Sequence, residues 1–148
     1  MKTIPVIFIL SVVVILVACS KDKFETKPRI EIIDINSAEL VQGSILRIRL
    51  NYFDKEGDLN KGLLQIRKIR LNQSPPIAPG DYLEDSLDYV LPEFPEKDKG
   101  EITFQTDYSR LNENQNRNDT IQYKFSVVDR AGNVSDTITS AVIVARQE

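Results

Sequence analysis

Asn118–Asp136 reads NDTIQYKFSVVDRAGNVSD, and its first half alternates strictly. Ile121, Tyr123, Phe125 and Val127 fall on one side and Gln122, Lys124 and Ser126 on the other. A period of two is that of a β-strand with one buried face. The Asp-Arg-Ala-Gly-Asn that follows is turn chemistry, with Gly132 free to take positive φ. Working outward, Leu46, Ile48, Leu50 and Tyr52 repeat the pattern against Arg47, Arg49 and Asn51. Ile102, Phe104 and Thr106 give a shorter version, and Thr137 to Ala145 is a β-branched run suited to a terminal strand. Ile30 and Ile32 alternate in one phase and Ile33 and Ile35 in the other, which predicts a bulge or a change of sheet. Gly62 to Leu71 predicts a similar flip at Arg67-Lys68. There is no helical stripe; one helical turn is expected in the Pro-rich stretch. Six or seven short strands separated by polar turns make an all-β chain, a single antiparallel β-sandwich, with a small barrel as the alternative.

Asn118–Asp136 also resembles the F strand, FG turn and G strand of bacterial immunoglobulin-like, fibronectin-III-like and cadherin-like domains. The resemblance implies an immunoglobulin-like β-sandwich of about seven strands over residues 29–148. It sets Tyr123 at the tyrosine corner and Phe125 where the second disulfide cysteine would stand. With no tryptophan and one cysteine, the chain departs from the antibody type.

That cysteine sits in LVACSKDK, Leu16–Lys23. Before it lie Lys2 and a fifteen-residue apolar run, Ile4 to Ala18, broken only by Pro5 and Ser11. This is the layout of a secretory leader and is short of the roughly 20 residues a membrane span needs. Leu16-Val17-Ala18-Cys19 resembles the lipobox of bacterial lipoproteins, which implies a signal peptide over 1–18 and a diacylated Cys19, the palmitate-type anchor of an outer-membrane lipoprotein. Acyl chains hold firmly because each buried methylene contributes about 0.8 kcal/mol. Residues 19–28 then form the lipidated cysteine and a polar tether reaching roughly 30 Å. Bacteroidota lipoproteins destined for the cell surface resemble one another in an acidic stretch after the cysteine. Here Asp22 stands between two lysines, so periplasmic face and cell surface both stay open.

Loss of Lys2 with the leader moves the formal charge from −3 to −4, and there are no histidines. A nucleic-acid partner would need a basic stripe. Without His or a free Cys, the usual nucleophile pairs and most transition-metal sites are excluded, and no enzyme activity is expected. The expected role is non-catalytic binding or envelope assembly at a membrane, with an envelope protein or glycan as partner. The alternative is a carbohydrate-binding accessory of a glycan-uptake system.

Two segments are candidates for that role. Residues 72–99 carry five prolines, seven acidic residues and the aromatics Tyr82, Tyr89 and Phe94, a recognition surface or a cover for the core. An edge strand is expected at Asp88 to Leu91. The second is the pair Tyr52–Gly62 and Val128–Asn133, the BC and FG loops if the resemblance holds. Asp54, Glu56, Asp58, Asp129 and Asn133 are oxygen donors suited to a weak calcium site, since calcium accepts irregular oxygen shells. The same residue types also serve as plain turn caps. Asp85-Ser86-Leu87, Asp119-Thr120-Ile121 and Asp136-Thr137-Ile138 resemble the Asp-Ser/Thr-aliphatic O-glycan acceptors of Bacteroidota.

Overall fold

The computed structural model describes residues 26–72, 86–112 and 116–147. The leader, Cys19 and Tyr82 lie outside these. Among the described residues nine strands form in chain order: β1 (Arg29–Ile35), β2 (Glu39–Leu40), β3 (Ile45–Phe53), β4 (Leu63–Arg70), β5 (Ser86–Val90), β6 (Lys99–Asp107), β7 (Asp119–Val128), β8 (Ile138–Thr139) and β9 (Ile143–Ala145). They make two separate sheets, β1-β3-β6 and β2-β9-β7-β4-β5, with β8 also on β7. The barrel alternative is thereby removed.

The alternating segments supply the core. β7 buries Ile121, Tyr123, Phe125 and Val127, and β3 buries Leu46, Ile48, Leu50 and Tyr52. Phe104 of β6 meets Tyr123 at 5.1 Å and Phe125 at 5.6 Å between ring centroids, the latter edge-on. Such aromatic pairs contribute about 0.5–1.5 kcal/mol beyond burial. The predicted flip in β1 is a bulge: pairing with β3 shifts between Ile32 and Asp34, which leaves Ile33 exposed and returns Ile35 to the core.

Three expectations are corrected. β4 has no flip at Arg67-Lys68, because its pairing with β7 runs unbroken from Leu63 to Arg70. Lys68 takes an inward position, its stem buried and its Nζ donating to the Arg110 carbonyl at 3.0 Å. Thr137 to Ala145 is two short strands rather than one, interrupted where Ser140 N and Oγ bond the β7 backbone at Tyr123. The helical turn expected in the Pro-rich stretch has no counterpart in residues 86–99, the rest of that stretch lying outside the described residues; a 3-10 turn is found at Tyr108–Arg110. Finally, the sandwich is not wholly antiparallel, since Glu39 and Leu40 run parallel to Val144 and Ala145.

Candidate functional site

β3 and β7 are central strands of opposite sheets, and their ends bring the two acidic loops together. Asp54 directly follows β3, with its N–H on the Asp98 carbonyl at 2.7 Å. The next residues fold into a turn closed by Gly57 N–H on the Asp54 carbonyl, 3.1 Å, with Gly57 at φ 71°. After β7, Gly132 at φ 89° and the Asp129–Asn133 backbone pair close the second turn. Arg130 N–H donates to the Asp58 carbonyl at 3.2 Å and ties one loop to the other.

Three of the five predicted ligands converge. Carboxylate oxygens of Asp54, Asp58 and Asp129 lie within 4.8 Å of one another. Glu56 is exposed and outside this trio, and Asn133 donates its Nδ2 to Asp129 Oδ2 at 2.8 Å. Most oxygens already serve the turns. Asp54 Oδ2 accepts from Leu59 N–H at 2.8 Å and its Oδ1 from Glu56 N–H at 3.3 Å, while Asp129 Oδ1 accepts from Asn133 N–H at 2.8 Å. Asp58 Oδ1 differs: it is buried and has no hydrogen-bond partner. Burial raises the Asp54 carboxyl above its ordinary range; the Leu59 N–H opposes this, and the charges of Asp58 and Asp129 add to it. Burial, then Asp54 and Asp98, raise the Tyr52 phenol beside them.

The aromatic segment divides. β5 is the predicted edge strand, paired only with β4 among the described residues. Its outer residues Leu87, Tyr89 and Val90 are 45, 45 and 70 % exposed. Phe94 instead folds inward against Tyr52, with ring centroids 5.9 Å apart and tilted by 43°. Tyr89 and Phe94 both line a cleft of about 670 Å³ between β5 and β6, floored by Leu64, Leu91 and Phe104. This groove was not visible in the sequence, because it is assembled from four strands and loops with no shared spacing. Its depth depends on Gly100, where a Cβ would stand 2.6 Å from the Tyr52 ring. The acidic trio lies outside this cleft. Of the glycan-acceptor triads, Asp119 is buried and Thr120 half-buried on β7, whereas Asp136 and Thr137 are exposed.

No family model matches the chain, and no curated protein matches it. Among solved structures, the soluble domain of PmoD from Methylocystis sp. ATCC 49242 (Rockwell) is similar, at 12% identity over 79% of this chain and 89% of that one, with a TM-score of 0.33. That likeness carries neither fold detail nor function across.

Proposed function

We propose that this chain is an outer-membrane lipoprotein, anchored through Cys19, whose immunoglobulin-like sandwich binds an envelope protein without catalysis. The strand order supports the immunoglobulin-like reading. β1-β3-β6 corresponds to A-B-E, and β2-β9-β7-β4-β5 to A′-G-F-C-C′, including a first-strand segment parallel to the last.

The observation that carries the binding role is the apolar groove and its rim. An edge strand with three large exposed apolar side chains beside a cleft floored by core residues is a protein-docking surface in chemistry. Sugar at this groove is less well supported, since Phe94 packs against Tyr52 and forms no flat platform with Tyr89. A photo-crosslinking amino acid placed at Leu87 in the full-length, membrane-bound protein should trap one discrete protein. The same group at Val142, similarly exposed but on the segment between β8 and β9, should not. Equal or absent crosslinking at the two positions sinks the docking reading. The anchor is tested separately: an alkyne fatty acid should label wild type and not Cys19→Ser.

A second reading concerns Asp54, Asp58 and Asp129, which we propose hold a weak calcium ion; the unpartnered Asp58 Oδ1 favours it over turn capping alone. The site would act as a clamp between two loops. A site that binds only the folded chain raises stability by RT ln(1 + [L]/Kd), so melting in calcium should exceed melting in EDTA. Overlaid curves leave the carboxylates as caps.

A further inference from the structure

The two sheets are of unequal width. β4 and β5 carry the larger sheet outward on one side, whereas the facing sheet stops at β6. On β4, Leu64 and Ile66 are buried; their partners on β5, Tyr89 and Leu87, share that core-facing side and are each 45 % exposed. Directly opposed residues of an antiparallel pair stand on one face, so the apolar layer runs on past the edge of the sheet opposite. The cleft of about 670 Å³ is the gap this leaves, with Ile102 and Phe104 on one wall and Tyr89 on the other. A second cleft, about 530 Å³ where β3 begins, gathers Gln42, Asp107, Asn112 and Gln147 and has no such apolar floor.

The edge beside the gap is also unpaired in its backbone. Among the described residues, β6 pairs with β3 alone. A bond at each end fixes the phase of that ladder: Asp54 N–H on the Asp98 carbonyl and Tyr108 N–H on the Ser44 carbonyl. Antiparallel pairs alternate between bonded and non-bonded, so the even-numbered residues Gly100, Ile102, Phe104 and Thr106 bond to β3. Lys99, Glu101, Thr103, Gln105 and Asp107 therefore turn their N–H and C=O groups away from β3, toward the open edge.

Only an extended backbone answers such a row. A helix has its own N–H and C=O groups already bonded and would leave the edge bare. A second copy does not fit, because pairing β6 with β6 about a twofold would drive the overhanging β5 of each into the other. The room is for one strand. Charge marks its ends. Lys97 and Lys99 stand at one end of the cleft without an ion pair among the described residues, while Glu96 and Glu101 are already engaged by Arg130 and Arg49.

We propose that a single extended segment of the partner protein adds to β6 as a fourth strand of that sheet, antiparallel like the pairs already in it. Its alternate apolar side chains cover Leu87, Tyr89, Ile102 and Phe104, and acidic residues at its C-terminal end meet Lys97 and Lys99. This rests on the docking reading of the same groove and specifies the form of the partner.

The test follows amide hydrogen exchange in the full-length protein with synthetic strands of about ten residues, enough to span β6. They alternate Thr with Val, Leu or Phe and end in Glu-Glu. At least one should slow exchange about tenfold or more at Glu101, Thr103 and Gln105, and leave Ile102 and Phe104, already bonded to β3, unchanged. The same peptide with a central proline should give no protection, and one ending in Lys-Lys should bind about tenfold more weakly. Thr103→Pro removes an N–H that β3 does not use, so it should abolish binding with little change in melting temperature. If that variant is unstable, the double change Lys97→Glu and Lys99→Glu decides, and should reverse the preference between the two peptide ends. Protection by none of the peptides, edge amides already protected in the chain alone, or equal binding of the proline peptide each overturn strand addition. A protein trapped at Leu87 while these amides stay unprotected would leave docking standing and remove the strand.

Discussion

The two ends of the sandwich are built on the same strands and satisfy their polar groups in opposite ways. At the end where β3 finishes, the carboxylates of Asp54 and Asp129 are filled by N–H groups of their own loops, and one atom, Asp58 Oδ1, is left over. At the end where β3 begins, Asp107 caps nothing and Asn112 keeps a buried oxygen free. The difference teaches that density of charge is a poor guide to a ligand. An Asp-rich loop can be explained in large part by the turn it closes, whereas a buried acceptor that local backbone does not answer is held at a cost of about 1–3 kcal/mol.

The largest expected effect breaks both ends at once. Phe125 is fully buried between Phe104 and Tyr123, so Phe125→Ala should cost about 3–5 kcal/mol in urea unfolding and shift amide resonances at both ends. A change within error would mean that this ring is not the shared support.

Next, Gly62→Ala should disturb one end alone. A Cβ there would stand 2.3 Å from the Val128 carbonyl and 2.8 Å from that of Leu59, both backbone atoms that cannot swing aside. A loss of about 1–3 kcal/mol is expected, with any calcium response diminished and the amide resonances of 107–112 unmoved. Equal damage at both ends would show them to be mechanically coupled.

The smallest effects sharpen the contrast. In EDTA, Asp58→Asn removes one of three clustered charges and no hydrogen bond at Oδ1, so stability should rise slightly, by no more than about 0.5 kcal/mol. In calcium the variant should lose its gain. If it still responds to the metal, Asp58 is not a ligand. Asp54 adds a pH signature. Its folded carboxyl titrates above the ordinary 3.8, so the folded chain keeps its proton longer than the unfolded chain. That contribution favours folding at low pH and is lost as pH rises from 3.8 through the raised value. Asp54→Asn should flatten this part of the Tm–pH curve; superimposable profiles would contradict the raised titration.

The long strands were legible because one buried face writes a period of two into Leu46–Tyr52 and Ile121–Val127. The β1 bulge was legible for the same reason, as a break in phase. Lys68 was misread because a charged residue is taken to face water, whereas its aliphatic stem is buried and only its ammonium reaches a carbonyl. The parallel Glu39–Leu40 pairing is two residues long and leaves no periodic trace. Of the candidate sites, the acidic loops were readable as local clusters. Both clefts were not, since residues such as Gln42, Asp107, Asn112 and Gln147 meet only through strand order.

That parallel pairing also sets a schedule for folding. Leu40 pairs with Ala145, and Arg146 N–H returns to the Leu40 carbonyl at 2.7 Å, so nearly the whole domain lies between the two halves of one ladder. Closing so long a loop is slow, and folds dominated by such distant pairs reach their native state late. A chain delivered from its N-terminus, by a ribosome or through a translocation channel, cannot complete this clasp until β9 has emerged. The end that takes Gln147 from beyond that strand is then the last part to be assembled, and a chain stalled before β9 would leave the channel with its β2 and β7 edges still open.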